Sequence, residues 1–496
     1  MKRKVWCATL GCDKNLVDSE ALLGRFARRG VQPVQDPEDA DIWVLNTCGF
    51  IDAARADSAD TVGQLAAAKE GRTLVVCGCW SQEHGDTIRE RWPQVDVVAG
   101  VGQFDRVVAA CVGEDAAPAG PVPGLLAFPL AGKATAPIVA DPLEAHYVGM
   151  LDRPLLTPPH VAFVKIGEGC NFGCTFCRIP LIRGKQRSRP VAEIAEEVRR
   201  LVERGVSEVQ LVSQNTSDYG RDTGEKLLDL VRALDGVAGL RRQRLLYIYA
   251  GLVTVDDLKR LLDLPTVAPY LDIPVQHASP RILRAMRRPG GDRTSPAFFG
   301  ELRRHRPDLV LRSTALLGFP GEEEEDVALL ADFLAEVRFD HLGTYRYSAE
   351  AGTPSAALPD PVPTEVALDR EALIADLQAE ISQERQAARL GGRFEVVIDR
   401  LEDADDPDGG LPDLLEAVLE GRWLDGAERE TLRGVWAGGG RVAVGRSHHY
   451  GYDLDGVVVL PAGGLEPGRW VTAEFTGASP YDTWARPLDG AGKKGT

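Results

Sequence analysis

Three cysteines, Cys170, Cys174 and Cys177, lie close together in the segment GEGCNFGCTFC at positions 167–177. Three thiolates at this CxxxCxxC spacing can hold three irons of a cubane cluster, which leaves the fourth iron open to a small molecule. A structural zinc site would instead require four ligands, typically arranged in CxxC pairs. The spacing of these three residues, called here the central cysteines, therefore predicts a 4Fe–4S cluster with one open iron.

Three further cysteines, Cys12, Cys48 and Cys79, each follow a predicted strand near the start of the chain. The carboxyl ends of strands in an open parallel sheet form a crevice where ligands bind, so these thiols can converge although they are far apart in sequence. These three N-terminal cysteines again suit a cluster with one open iron. Spacing alone leaves open the alternative of thiols scattered in a sheet core. The remaining thiols are predicted to be core residues: Cys7, Cys77 and Cys111.

The length and charge of the chain limit its class. A chain of 496 residues is long enough for two to four domains. No apolar run approaches the length of a membrane span, and the N-terminus lacks a signal core, so we expect a cytoplasmic protein. The net charge of −17 argues against a general nucleic-acid binder and favours a positively charged protein substrate, although a local basic patch can coexist with it.

Alternating strand and helix patterns in two stretches predict an α/β protein. Residues 1–112 have the pattern of a doubly wound α/β domain. Residues 158–390 contain six strand-like runs with helices between them, one of these strands being placed at 245–249, and this predicts a partial (β/α) barrel. Residues 113–157, between the two, are rich in Pro, Ala and Gly and are predicted to form a linker.

The C-terminal part changes to short strands separated by glycine turns. Four such strands within residues 391–489 predict a small β-barrel. An insertion at about 402–430 contains eleven acidic residues against two basic ones. This insertion is interpreted either as a partner-binding surface or as a solvated loop and helix, and both interpretations stay open. Residues 490–496 are predicted to be a disordered tail.

The whole chain resembles a methylthiotransferase of the radical S-adenosylmethionine (SAM) superfamily, and the C-terminal barrel is similar to the TRAM domain of that family. The segments that carry the resemblance are GC at 11–12, NTC at 46–48, GC at 78–79, the central cysteine motif, IP and RG at 179–184, GFPGE at 318–322 and YSAEAGT at 347–353.

Other segments resemble the branch of this family that modifies an aspartate of ribosomal small-subunit protein twelve. They are KNLVDSE at 14–20, YG at 219–220, LYIY at 246–249 and LDIPVQHAS at 271–279. The alternative within the family is the branch that modifies a tRNA adenosine. An alternative of another class is an iron–sulfur electron-transfer or RNA-binding protein without SAM chemistry. Asp13 and Ala250 depart from the usual pattern, in which both positions are proline.

The resemblance implies two 4Fe–4S clusters and SAM as cofactors. The cluster on the central cysteines would cleave SAM to a 5'-deoxyadenosyl radical, and the cluster on the N-terminal cysteines would hold the sulfur to be transferred. An unactivated C–H bond is too weakly acidic for acid–base catalysis, which is why a cofactor radical is needed. The implied partners are ribosomal small-subunit protein twelve, an electron donor and a sulfur donor. Association with a membrane is not expected.

Further residues are candidates for binding SAM. Gln214 and Asn215 end a predicted strand and can hydrogen-bond SAM. Gly318 and Gly321 would let the backbone approach SAM closely, the alternative being a simple turn. Arg187 is a candidate for binding the carboxylate of SAM or of the substrate, the alternative being a solvated basic stretch. The same interpretation extends to its basic neighbours: Arg178, Arg183, Lys185 and Arg189.

Overall fold

The computed structural model describes residues 2–113, 137–141, 150–288, 293–403 and 441–488. The tail, the acidic insertion from residue 404 onward and most of the predicted linker lie outside these residues. No helix within the described ranges is long and apolar enough to cross a membrane.

The N-terminal domain is built on a five-stranded parallel sheet with the strand order β2-β1-β3-β4-β5. Its strands are β1 (Lys4–Thr9), β2 (Gln32–Pro33), β3 (Ile42–Thr47), β4 (Thr73–Gly78) and β5 (Val97–Ala99). Its helices are α1 (Asp13–Arg28), α2 (Asp52–Ala68), α3 (Cys79–Arg91) and α4 (Phe104–Val112). All six residues of β3 are buried, as expected for a central parallel strand that is covered on both faces. This arrangement confirms the predicted doubly wound fold.

The central domain contains six parallel strands that pair in chain order. They are β6 (Val161–Lys165), β9 (Glu208–Val212), β10 (Arg242–Leu245), β11 (Val267–Asp272), β12 (Val310–Leu317) and β13 (His341–Arg346). Two short strands, β7 (Gly167–Glu168) and β8 (Arg187–Ser188), come between β6 and β9 along the chain and form a separate two-stranded sheet. The helices are α5 (Ile179–Arg183), α6 (Val191–Glu203), α7 (Leu227–Asp235), α8 (Val255–Leu262), α9 (Pro280–Ala285), α10 (Pro296–His305), α11 (Glu324–Val337) and α12 (Thr364–Ala387). The open strand order confirms the partial (β/α) barrel.

The strand predicted at 245–249 was placed too late in the chain, because β10 occupies Arg242–Leu245. Arg242 and Arg244 are buried in this strand, and both pair with Glu208 of β9. The Arg244 Nε lies 2.8 Å from the Glu208 Oε1. A search for apolar runs misses such a strand, because its charges are neutralised by a residue on the neighbouring strand.

The C-terminal domain is a closed five-stranded barrel with the order β14-β15-β16-β18-β17. Its strands are β14 (Arg393–Asp403), β15 (Arg441–Arg446), β16 (Val458–Pro461), β17 (Trp470–Ala478) and β18 (Thr483–Pro487). The barrel confirms the predicted class, and β18 is a strand that the sequence patterns did not reveal. Val396, Val471 and Phe475 contribute to its apolar core.

Buried ion pairs attach the barrel to the central sheet. Arg446 of β15 lies 2.9 Å from Glu208 of β9 and 2.7 Å from Asp399 of β14. Asp455, in the loop after β15, accepts a hydrogen bond of 2.7 Å from Tyr270 of β11. Breaking a buried charge pair is strongly destabilising, so these contacts fix the barrel against the sheet.

Candidate functional site

All six predicted cluster cysteines line one cavity of about 550 Å³ between the N-terminal and central domains. The N-terminal cysteines follow the carboxyl ends of β1, β3 and β4. The central cysteines lie in the loop between β7 and α5. The structure therefore brings the two sets together at one site, and the N-terminal cysteines converge there as their positions at strand ends predicted.

Glycines with positive φ position two of the N-terminal cysteines. Gly11, before Cys12, has φ 98°, and Gly78, before Cys79, has φ 107°. A Cβ atom added at Gly78 would collide with the Asn46 side chain and with the backbone of Thr47. Only glycine fits this turn, which places Cys79 at the start of α3 and at the cavity wall.

Backbone contacts hold the loop of the central cysteines. The Cys170 N–H donates to the Gly184 carbonyl at 3.1 Å, and the Cys177 N–H donates to the Cys174 carbonyl at 3.1 Å. The Ile179 N–H points at the Cys177 Sγ at 3.4 Å. A peptide N–H aimed at sulfur stabilises a thiolate, so this loop is prepared for a cysteine that binds metal.

Burial raises the pKa of Cys79 and of Cys177 to about 12 in each case. The pKa values of Cys48 and Cys170 move in the same direction for the same reason. These four thiols are therefore protonated near neutral pH in the metal-free protein, and metal binding must release their protons.

The donor set fits iron–sulfur clusters. Among the described residues, no group of three His, Cys, Asp or Glu side chains surrounds a single point as one metal ion would require. A cubane takes one thiolate on each of three irons, which suits the three cysteines on each wall of the cavity. Soft sulfur ligands select iron–sulfur clusters over hard cations such as magnesium.

Most of the rest of the cavity wall is apolar. Phe50 and Ile51 line it from the N-terminal domain, and Phe172 and Phe176 line it from the central loop. The rings of Phe172 and Tyr249 pack with their centroids 4.3 Å apart. Such walls exclude water and lower the local dielectric, which protects reactive species and strengthens each polar contact inside.

A buried charge network centred on Arg183 joins the two walls. The Arg183 Nη1 lies 3.0 Å from Asp18 of α1 and 3.0 Å from Glu168 of β7. The Arg183 Nη2 lies 3.2 Å from the Cys79 Sγ. Lys165 also pairs with both carboxylates. Burial alone would raise the pKa of Glu168, but the charges of Arg183 and Lys165 outweigh it and hold that pKa well below its usual value.

Gln214 and Asn215, after β9, line the cavity as well. The Gln214 Oε1 accepts a hydrogen bond of 2.9 Å from the Gly169 N–H, and its Nε2 donates to Glu168. The Asn215 side chain accepts from the Ser217 N–H at 3.1 Å and so caps a short 3-10 turn. Gln214 therefore supports the loop around the central cysteines, whereas Asn215 supports the turn after β9, and the contact of both residues with SAM stays a prediction.

Gly318, Gly321 and Arg187 are not among the residues that line the cavity. Gly318 and Gly321 have φ values of 74° and 75° in the turn between β12 and α11. Glu322 accepts a hydrogen bond of 3.0 Å from the Gly318 N–H within this turn. The turn by itself accounts for both glycines. Arg187 is half-buried in β8. The SAM contacts of all three remain predictions.

The basic residues near the central cysteines are largely paired inside the protein. Arg178 pairs with Glu83, and Arg189 lies 2.7 Å from Glu197. Lys185 is exposed. Arg183 is held by its two carboxylates, so Arg178, Arg183 and Arg189 each form an ion pair within the protein.

The sequence analysis did not identify several residues of the cavity wall, among them Lys14, Tyr247 and Arg288. The Lys14 Nζ lies 3.2 Å from the centre of the Tyr247 ring, and Tyr247 has a positive φ of 59°. Strained non-glycine residues cluster at functional sites, but nothing in the residue type signals the strain. Arg288 follows α9 in a basic stretch, and such residues are usually interpreted as solvated.

Comparison with known proteins identifies the family. Residues 4–100 match the Uncharacterized protein family UPF0004, and residues 164–334 match the Radical SAM superfamily. The chain is 37% identical over 487 residues to the "Ribosomal protein uS12 methylthiotransferase RimO" of Symbiobacterium thermophilum, covering 97% of this chain and 90% of that protein. The protein of the same name from Alkalilimnicola ehrlichii is 37% identical over 500 residues, with 98% of each chain covered.

A solved structure with partial likeness is the radical S-adenosylmethionine methyltransferase TsrM from Kitasatospora setae, with a TM-score of 0.49 and 15% identity over 82% of this chain and 78% of that chain. The full-length matches at 37% identity are the ones that decide the assignment. This chain therefore belongs to the RimO family of methylthiotransferases, within the radical SAM superfamily.

Proposed function

We propose that this chain adds a methylthio group to the β-carbon of an aspartate in ribosomal protein uS12, the small-subunit protein twelve. The observation that carries the proposal is the convergence of two sets of three cysteines, from two domains, on one cavity. Membership of the RimO family supports the choice of substrate.

Each set of cysteines holds a 4Fe–4S cluster in this proposal, and SAM binds at the central set. When bound, the clusters supply the electron that cleaves SAM and the site that carries the sulfur. The chain contributes the thiolates that fix both groups, the apolar walls that exclude water, and the Arg183 network that holds the two walls together. The cavity must therefore admit one aspartate side chain between the two sets.

The net change replaces a C–H bond by a C–S bond. One SAM gives its methyl group to the sulfur and leaves as S-adenosylhomocysteine. A second SAM takes up one electron and leaves as methionine and 5'-deoxyadenosine, which carries away the hydrogen atom. The C–S bond would form from the substrate radical and the methylthiolate with release of one electron, and separate donors supply the sulfur and the first electron. The reaction therefore needs two partners besides the ribosomal substrate, and we place the protein in the cytoplasm with that substrate.

The charge of the chain supports a protein substrate over tRNA. A net charge of −17 repels a phosphate backbone and attracts a basic protein. A tRNA adenosine methylthiotransferase is the weaker candidate on this ground. An iron–sulfur protein without SAM chemistry is weaker because residues 164–334 match the Radical SAM superfamily.

A paired-substrate assay tests the proposal. Anaerobically reconstituted, reduced enzyme is incubated with SAM and either uS12 or unmodified tRNA, and both products are analysed by mass spectrometry. We expect a methylthio group on one uS12 aspartate, together with 5'-deoxyadenosine. Modified tRNA beside unchanged uS12 would reverse the choice of substrate, and no 5'-deoxyadenosine would remove the SAM chemistry altogether.

A further inference from the structure

Three cationic side chains line the cavity, and two of them are neutralised by the protein itself. The Lys14 Nζ lies 2.8 Å from Asp13. Arg183 lies 3.0 Å from each of its two carboxylates. Neither side chain is available for a charged ligand without breaking a buried pair, which is costly.

Arg288 is the third cation, and its situation differs. Among the described residues, no Asp or Glu lies within ion-pairing distance of it. Its guanidinium lies 4.5 Å from the centre of the Tyr249 ring, its Nη2 donates to the Pro274 carbonyl, and its Nη1 lies 3.8 Å from the Cys174 Sγ. The stacking and the carbonyl contact fix the direction of the guanidinium without neutralising its charge.

The Arg288 Nε is buried and has no hydrogen-bond partner among the described residues. A buried donor without a partner costs free energy, and each such group in a native protein calls for an explanation. A ligand that accepts a hydrogen bond and carries a negative charge would satisfy both the donor and the charge. Because Arg288 touches a central cysteine, such a ligand would lie beside the central set.

We propose that Arg288 binds a carboxylate inside the cavity. A guanidinium fixes a carboxylate through directed, charge-assisted hydrogen bonds, and its planar face stacks on an aromatic ring as it does here on Tyr249. The inference rests on the proposed function, which brings two carboxylates to this cavity: that of the methionine part of SAM, and that of the substrate aspartate.

The test compares Arg288→Gln with a matched control, Arg287→Gln. Arg287 is the exposed neighbour of Arg288 and does not line the cavity. Its substitution by Gln removes the same positive charge. Iron content and thermal midpoint are measured first, and Arg288→Lys is included because it keeps the charge but loses the fork geometry. All binding is measured on anaerobically reconstituted, full-length protein.

The first arm measures SAM affinity by equilibrium dialysis, with decarboxylated SAM as the second probe. If Arg288 binds the SAM carboxylate, Arg288→Gln weakens SAM binding at least tenfold, whereas wild type and variant bind decarboxylated SAM equally. The second arm measures binding of a uS12 peptide with the target aspartate or with asparagine. If Arg288 binds the substrate, SAM affinity is unchanged, the aspartate peptide loses at least tenfold in affinity, and the preference over asparagine disappears.

Arg287→Gln is expected to match wild type in both arms. Wild-type affinities for SAM and for the aspartate peptide in Arg288→Gln would overturn the inference while leaving the proposed function intact. A wild-type protein that binds neither SAM nor the peptide would instead overturn the proposed function and this inference together.

Discussion

The Arg183 Nη2 lies 3.2 Å from the Cys79 Sγ, and this contact joins an arginine of the central domain to a cysteine of the N-terminal domain. The same guanidinium is held by Asp18 and Glu168, one from each domain. All four side chains are buried. The hydrogen bond from Arg183 to Cys79 therefore belongs to the same buried network that joins the N-terminal and central domains at the cavity.

Loss of the Arg183 charge is expected to destabilise the protein. Arg183→Met leaves Lys165 as the remaining cation of this network for two buried carboxylates, and breaking a buried charge network of this kind costs about 3–5 kcal/mol. We expect a clear fall in the thermal midpoint. Lys185→Met, at an exposed position two residues away, is the control and should leave the midpoint unchanged. Equal midpoints for the two variants would contradict the structural role of Arg183.

The glycine before Cys79 is expected to tolerate no side chain. Gly78→Ala combines a positive φ with a collision against Asn46 and Thr47, whereas Gly71→Ala shares the positive φ but meets no atom within 4 Å. Gly71→Ala should cost about 1 kcal/mol from backbone strain alone. Gly78→Ala should cost several-fold more and lower the iron content of the N-terminal set. Similar thermal midpoints and iron contents in both variants would argue against a crowded turn.

The iron content should divide between the two cysteine sets. Wild-type protein isolated without oxygen should hold about eight irons per chain, as expected for two cubanes. Replacing the three central cysteines by alanine should halve the iron and abolish SAM cleavage. Replacing the three N-terminal cysteines should also halve the iron but leave SAM cleavage in place. Cys111→Ala, a buried thiol that does not line the cavity, is the control. Full iron content in either triple variant would contradict the assignment of ligands.

The stability of the C-terminal barrel should depend on Asp482. Burial raises the pKa of this carboxyl from 3.8 to about 6. A hydrogen bond from the Val457 N–H lowers the pKa, but the effect of burial is larger. The protonated form therefore favours the folded state. The stability it contributes is fully present below pH 3.8 and is lost as the pH rises through about 6.

Asp482→Asn removes this titration and keeps an oxygen for the Val457 N–H. We expect the variant to be more stable than wild type above pH 7, by on the order of 2–3 kcal/mol, and the difference to shrink as the pH falls toward 4. Chemical denaturation at several pH values measures this. Glu466→Gln, exposed in the same barrel, should show no such trend. A pH-independent difference for Asp482→Asn would rule out the titration.

The parts of the site that were predictable from sequence are those fixed by short spacing or by topology. The central cysteines follow from one local motif, and the convergence of Cys12, Cys48 and Cys79 follows from parallel strands whose carboxyl ends share one edge. Apolar periodicity does not mark the start of α1 at Asp13, because the first turns of this helix bury polar residues that have distant partners.

The residues that could not be predicted are those whose role depends on a partner far away in sequence. Arg183 was interpreted as a candidate for binding an external carboxylate, but Asp18 and Glu168 already occupy it. Sequence patterns do not distinguish Arg288 from a solvated arginine, because its lack of an ion-pairing partner within the described part of the chain depends on the three-dimensional arrangement. Local periodicity reports which face of an element is apolar, and it does not report which charges are neutralised across domains.

The most direct test of the account uses uS12 with deuterium on the β-carbon of its aspartates. The account predicts that reduced enzyme and SAM yield methylthiolated uS12 and 5'-deoxyadenosine that carries deuterium, because the C–H bond is broken in the cavity between the two cysteine sets. Methylthiolated uS12 accompanied by 5'-deoxyadenosine without deuterium would contradict it.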